Sequence, residues 1–318
     1  MKEAVRDVKE LCQLLQLPPE FAAQAAGATG QFPLFVPRPF LARMRRGDAS
    51  DPLLRQVLPL EAETIAVPEY TADPVGDVPA SLQPGLLQKY YGRVLMVTTG
   101  ACAVHCRYCF RQHFPYAVAP RSLTDWLGAI EQIESDASIH EVILSGGDPL
   151  TLVDHLLAQL VHRLEKIPHL RRIRLHTRLP IVIPQRVTAE LLDWLTGTRL
   201  TPVVVVHINH PAEIDTVVSA ALAKLNAAGI PLLNQAVLLR GVNDNVDVLA
   251  ELSERLIDLH VLPYYLHQLD RVAGAAHFEV PVERGCQIVA ELQRRLPGYA
   301  VPRYVQEIIG RDHKVELI

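Results

Sequence analysis

From Arg93 onward, short apolar runs recur at regular intervals: Val94–Thr98, Glu141–Leu144, Arg172–His176, Pro202–His207, Pro231–Leu239 and Val261–His267. Helix-like segments lie between them over Leu123–Ser135, Leu152–Ile167, Thr188–Leu195, Glu213–Ala228 and Asn245–Leu259, and a further one, Val282–Leu296, follows the sixth run. The repeat is roughly thirty residues, the length of one βα step in a βαβ unit. Continuous β-branched runs such as Val203–Val206 suit a parallel sheet covered by helices. Six steps build either an open doubly wound sheet or a curved, partial barrel. Both put ligands at the C-terminal ends of the strands, so the residues just after each strand are the candidates for chemistry.

The preceding stretch reads differently. Residues 1–88 predict a mainly helical lead-in whose first helix, Ala4–Leu17, stops at Pro18-Pro19. Pro33, Pro37, Pro39, Pro52 and Pro59 divide the chain further, and the proline-rich Asp73–Pro84 predicts a loop or arm. The expected organisation is an extension over 1–88, a core over 89–300 and a short C-terminal segment over 301–318.

With 318 residues, 49% hydrophobic and 21% charged, the chain supports a sizeable core and excludes a disordered or coiled-coil class. A net charge of −4 gives no basic face for nucleic acid or an anionic membrane. No apolar run approaches the ~20 residues of a membrane span, and the charged N-terminus lacks the apolar region of a signal peptide. Five cysteines, three of them within eight positions, do not make a secreted disulfide framework, and a reducing cytoplasm is the expected setting.

Those three are Cys102, Cys106 and Cys109, a C-x3-C-x2-C run directly after the first strand. Thiolates bind soft metals and iron–sulfur clusters, and a cubane takes four ligands. Three clustered cysteines therefore suggest a [4Fe–4S] cluster with one iron open to another molecule. Structural zinc is the competing reading, with His105 or His113 as fourth ligand, and a non-catalytic zinc or iron–sulfur scaffold is the matching non-enzyme function. Cys12 and Cys286 read as ordinary buried cysteines. One βα step later, Ser145-Gly146-Gly147-Asp148 provides a turn at which backbone can approach a ligand closely.

C-x3-C-x-aromatic-C after the first βα strand resembles the radical S-adenosylmethionine enzymes, which implies a partial (β/α)6 TIM-like barrel. The resemblance extends to the lysine 2,3-aminomutase family from about Gln88 to Lys314. It is carried by Lys89-Tyr90-Tyr91-Gly92-Arg93, by Cys106 to Tyr116 (CRYCFRQHFPY) and by His176-Thr177-Arg178. It continues through His207-Ile208-Asn209-His210-Pro211, Asn234 to Asp244, Pro263 to Asp270 and Val301-Pro302-Arg303-Tyr304. Within that family the chain is most similar to the branch that makes (R)-β-lysine for elongation factor P. No cysteine follows Cys286, whereas fermentative members add C-terminal zinc-binding cysteines.

The resemblance implies three cofactors: a [4Fe–4S] cluster on Cys102, Cys106 and Cys109, S-adenosylmethionine, and pyridoxal 5′-phosphate. It places Tyr108, Gly146, Gly147 and Asp148 at S-adenosylmethionine, and Lys314 as the lysine that holds pyridoxal phosphate as a Schiff base. Here Val315-Glu316 follows that lysine where relatives carry proline, and Gly310 alone remains of their glycine-rich run. Lys89 aligns near pyridoxal phosphate, and Arg178 reaches one of the two cofactors. The substrate L-lysine is met by Arg111 at its carboxylate and by Asp270 and Glu307 at its ε-ammonium. A planar guanidinium fork suits a carboxylate, and a paired acid suits an ammonium. His176, His207 and His210 sit at strand ends without an assigned role. The implied partners are a flavodoxin- or ferredoxin-type electron donor, a ligase acting on elongation factor P, and a second copy of the chain joined through the N-terminal arm. A catabolic aminomutase and a radical enzyme without pyridoxal phosphate are the competing enzymatic readings.

Overall fold

A computed structural model describes residues 3–26, 32–116, 120 and 122–318. Ten strands form one sheet in simple sequence order: β1 (Ser81–Gln83), β2 (Leu86–Tyr90), β3 (Arg93–Thr99), β4 (Glu141–Gly146), β5 (Arg172–Thr177), β6 (Thr201–Val206), β7 (Leu232–Val237), β8 (Val261–His267), β9 (Arg303–Gln306) and β10 (Val315–Glu316). Strands β3 through β9 run parallel, and antiparallel hairpins flank them at both ends. The two end strands are not paired with each other, so the sheet is a partial barrel.

Six of these strands are the six expected runs. The helices between them begin where short polar side chains can cap them. Ser122 and Asp125 form a capping box at Leu123–Ser135, Thr188 caps Ala189–Thr196, Asp215 caps Thr216–Ala227 and Asn245 caps Val246–Asp258. Their apolar faces, with Trp126, Leu157, Leu191, Leu222, Leu252 and Ile288, close the core against the outer face of the sheet. In β5 the period of two is plain: Ile173, Leu175 and Thr177 are buried, whereas Arg172, Arg174 and His176 are less so.

Three expectations change. The first helix is Val8–Leu14, shorter than Ala4–Leu17, because Asp7 supplies the N-cap by accepting from Glu10 N. The lead-in is not purely helical: β1 and β2 are strands, and the division at residue 88 falls inside β2. Pro84-Gly85 is the turn between them, with Gly85 at φ +78°, the left-handed value that the third position of a type II turn requires. Third, the C-terminal segment is a β-hairpin joined to the parallel sheet through β9. The lead-in is also packed onto the core. His105 N donates to Phe35 O and Arg107 N to Gln56 O, so residues 32–56 form the floor beneath the cysteine loop.

Candidate active site

The loop after β3 carries the three cysteines. All five cysteines of the chain are free thiols. Burial, with Cys106 acting in the same direction, pushes the Cys109 thiol up to about 12. Burial likewise holds Cys102 well above its ordinary value, reinforced by Cys109, Asp148 and Cys106. Cys102 and Cys109, both held towards the thiol form beside a third cysteine, need a cationic centre to become thiolates, which fits a cluster. Among the described residues no three His, Cys, Asp or Glu side chains converge on a single-ion site.

The Gly-Gly turn after β4 lies directly against that loop. Gly147 N donates to Thr99 O and Asp148 N to Ala101 O, both at 2.8 Å. A Cβ on Gly147 would stand 2.2 Å from Ala101 O, and one on Gly146, at φ +116°, 2.6 Å from Thr99 O. Only glycine permits this approach. Asp148 is used internally. Its Oδ1 accepts from Leu150 N and Thr177 Oγ1, and its Oδ2 from Arg178 N and Leu179 N. Burial raises its pKa to about 6 despite these donors. Four donors match the acceptor capacity of a carboxylate, so Asp148 ties β4 to β5 and shapes the cradle rather than facing a ligand.

Beneath the cysteines is a buried polar knot. Arg178 Nη1 donates to Cys106 Sγ at 2.7 Å and to Tyr108 Oη at 2.9 Å; its Nη2 donates to Gln56 Oε1 and to Glu213 Oε2. Asn209 Nδ2 donates to Tyr108 Oη at 2.7 Å. Thus Arg178 touches a cysteine of the loop, and Tyr108 anchors the loop through its buried hydroxyl. Burial would push Glu213 up, yet Arg178 and the Asn209 N–H hold it below its ordinary range. A second pair, Arg107 with Glu63, fixes the loop from the lead-in side.

The inward ends of the later strands carry the remaining candidates. His176, His207 and His267 are half-buried, and desolvation pushes each of them down, His207 to about 3, so all three are neutral at physiological pH. His176 Nε2 is buried without a hydrogen-bond partner. His210, by contrast, caps a single turn through Ala212 N.

An ion network spans this end of the barrel. Lys314 Nζ donates to Glu307 Oε2 at 2.5 Å, and Tyr90 Oη to Glu307 Oε1 at 2.6 Å. Lys89 lies 2.7 Å from Asp77 and 3.7 Å from Glu307. Arg111 Nε donates to Asp77 Oδ2 at 2.6 Å. The register of β9 and β10 pairs Gln306 with Val315, which sets Glu307 and Lys314 side by side at the loop end of that hairpin. Glu307 is therefore neither helical nor exposed. Asp270, just after β8, is half-buried; desolvation raises its pKa to about 7, with Lys314 pulling it down and Glu307 pushing it up. Its environment calls for a further cation.

These residues fit the implied groups: three cysteines for the cluster, a glycine cradle beside them, and Lys314, Lys89 and the orphan Nε2 of His176 around the space for pyridoxal phosphate. Sequence reasoning missed Asp77, Gln56 and Glu213. None sits in a spaced motif, and only Glu213, three residues after His210, carried a local cap signal.

The fold and cysteine loop define a radical S-adenosylmethionine enzyme. A profile of the Radical SAM superfamily matches residues 96–252. The fold is similar to SuiB of Streptococcus suis, with a TM-score of 0.51 at 13% identity over 70% of this chain and 50% of that one. L-lysine 2,3-aminomutase of Haemophilus influenzae is 46% identical over 99% of this chain and 93% of its own length. The Escherichia coli K12 enzyme of the same name is 46% identical over 100% and 93%, and that of Clostridium subterminale 33% identical over 100% and 76%. The chain belongs to the L-lysine 2,3-aminomutase family and is an isomerase that uses a [4Fe–4S] cluster, S-adenosylmethionine and pyridoxal phosphate. Among the described residues no helix is long and apolar enough to cross a membrane.

Proposed function

We propose that this chain converts L-lysine to (R)-β-lysine and that the product serves the modification of elongation factor P. The observation that carries the substrate is that a buried cationic fork, Arg111, is joined through Asp77 and Lys89 to Glu307 and Lys314, with the acid Asp270 in the field of the same groups. Free lysine has the matching ends, a carboxylate and an ammonium. The support for the elongation factor P branch is the CRYCFRQHFPY stretch and the higher identity to the Haemophilus and Escherichia enzymes than to the clostridial one.

When bound, the cofactors supply radical initiation and the carbonyl that carries the migrating nitrogen. Cys102, Cys106 and Cys109 hold the cluster, and Arg178 donates to the Cys106 sulfur. The Gly146-Gly147 cradle accommodates S-adenosylmethionine beside it. Arg111 grips the lysine carboxylate through its terminal nitrogens, since its Nε is already engaged. Asp270 and Glu307 accept from the ε-ammonium. Lys314 supplies the amine for pyridoxal phosphate, and Glu307 takes its charge while it is protonated. The neutral histidines line the space without adding charge, and the barrel wall keeps water from the reacting carbons. An electron donor and the ligase for elongation factor P complete the pathway, in a compartment reducing enough to keep the thiols free.

The test is anaerobic reconstitution with iron, sulfide and pyridoxal phosphate, then addition of S-adenosylmethionine, reductant and L-lysine. β-Lysine resolved as the R form by chiral chromatography, dependent on both cofactors, is the expected result. Cleavage to 5′-deoxyadenosine without β-lysine would remove lysine as the substrate. Loss of β-lysylated elongation factor P on gene deletion would separate the biosynthetic from a catabolic role.

A further inference from the structure

Asp77 has no part in the mechanism above, yet it stands at the centre of the ion network. It comes from the proline-rich arm and its side chain is 3% exposed. Its Oδ2 accepts from Arg111 Nε at 2.6 Å, and its Oδ1 faces Lys89 Nζ at 2.7 Å. One carboxylate thus joins the fork assigned to the substrate carboxylate with the lysine assigned to the pyridoxal phosphate side. The turn that presents it is built for the purpose. Asp73 accepts from Asp77 N at 2.8 Å and from Val78 N at 2.9 Å, and Gly76 takes the left-handed φ of +67°. A Cβ on Gly76 would lie 3.4 Å from Ile309 of the C-terminal segment, so arm and segment meet across the site.

We propose that Asp77 is a positioning residue for the aminomutase reaction, holding Arg111 and Lys89 so that both ends of the lysine substrate find their partners. Arg111, Asp77, Lys89, Glu307 and Lys314 form a series of alternating charge. At one end Asp77 fixes the Nε edge of Arg111, and Ser145 Oγ lies 3.4 Å from Nη1, which orients the fork. At the other end Asp77 and the Val75 carbonyl, 2.7 Å from Lys89 Nζ, hold Lys89 at 3.7 Å from Glu307. Without the charge on Asp77, Lys89 closes on Glu307 and competes there with the incoming ammonium. Asparagine cannot replace it, because its amide has one acceptor and its NH2 would face a second donor.

The inference rests on the substrate reading of Arg111 and Glu307, so the experiment separates the two. Wild type, Asp77→Asn and Asp77→Glu are reconstituted, and iron content, pyridoxal phosphate absorbance, lysine KM and kcat are measured. The Asp77→Asn structure is also determined. The expected result is a KM raised by roughly ten- to a hundredfold, the loss of one charge-assisted bond, with kcat changed less. Iron and pyridoxal phosphate content should stay at wild-type levels, Asp77→Glu should be intermediate, and Lys89 should lie within hydrogen-bond distance of Glu307. A merely structural role would instead lower iron, cofactor and kcat together. If wild type converts lysine and neither variant changes KM, the positioning role is overturned while the site reading stands. If wild type makes no β-lysine, the site reading fails, and the position of Lys89 in the variant still decides what Asp77 does: an unmoved Lys89 overturns the role. Should Asp77→Asn not fold, a wild-type KM in Asp77→Glu overturns it.

Discussion

Lysine binding should depend on pH through Asp270. Its carboxyl is partly desolvated by the packing around it, which raises its pKa to about 7 in the absence of substrate. A raised acid favours the protonated folded form, so its contribution to stability is present at low pH and is lost as pH rises through about 7. Binding runs the opposite way, because the ε-ammonium pairs only with the ionised carboxylate. The ammonium itself, with an ordinary pKa of about 10.4, stays charged across this window. With a pKa of about 7, roughly one-tenth of Asp270 is ionised at pH 6 and roughly nine-tenths at pH 8, so affinity should tighten about tenfold between them and then level. The assay is equilibrium binding of L-lysine to the reconstituted enzyme at constant ionic strength, with L-norleucine as the comparison. Norleucine has the same carboxylate, α-amine and chain length but no ε-ammonium, so shared titrations cancel. Asp270→Asn should flatten the lysine profile and weaken binding at pH 8 by about 2–5 kcal/mol, the range for removing one partner of a buried charge pair. A flat lysine profile in the wild type, or the same slope with norleucine, would refute the assignment of Asp270 to the ammonium.

Three further outcomes follow from the geometry. Lys314→Ala should abolish turnover and the absorbance of bound pyridoxal phosphate while leaving the iron content unchanged; full activity would remove Lys314 from the site. Gly147→Ala drives a Cβ to 2.2 Å from Ala101 O, so the β4 turn must separate from the cysteine loop. S-adenosylmethionine affinity measured by calorimetry should fall at least tenfold, more than the ~1 kcal/mol typical of a point substitution. Arg178→Met leaves Glu213 buried without its cation and Cys106 without its donor. A denaturant midpoint lowered by the equivalent of about 3–5 kcal/mol is expected, and an unchanged midpoint would show that Glu213 takes up a proton at little cost.

Much of the barrel was legible because its strands are long enough to carry a pattern. β6, Thr201–Val206, is an uninterrupted apolar run, and Leu123–Ser135 matches its helix residue for residue because Ser122 and Asp125 mark where it begins. The edge strands were not, although Pro84-Gly85 between Leu82 and Leu86 is a turn signal in plain view. Three residues in β1, four in β9 and two in β10 are too few for an alternation to emerge from its surroundings. They exist because the neighbouring strand is already there to pair with, which is a tertiary cause.

The site divides along the same line. The cysteines and the Gly-Gly turn were readable because close spacing in sequence is close spacing in space. The acids Asp270 and Glu307 came only through the resemblance and not from local pattern, since what distinguishes Glu307 from any exposed glutamate is Tyr90, 217 residues away, and the hairpin that folds Lys314 back onto it. Asp148 shows the converse. Its motif position was evident, but its four internal donors, which include Thr177 at the end of the next strand and Arg178 just after it, redefine it as the residue that holds the cradle's shape. The same holds for Arg178, whose position at the end of β5 pointed to a cofactor and whose partners place it on the Cys106 sulfur. A motif therefore locates chemistry along a chain, while the assignment of touching or supporting roles waits on which donors each acceptor has already met. For Arg111 that inventory leaves the terminal fork available and the Nε edge taken, which is why its partner Asp77, invisible in the sequence, decides the direction in which the fork faces.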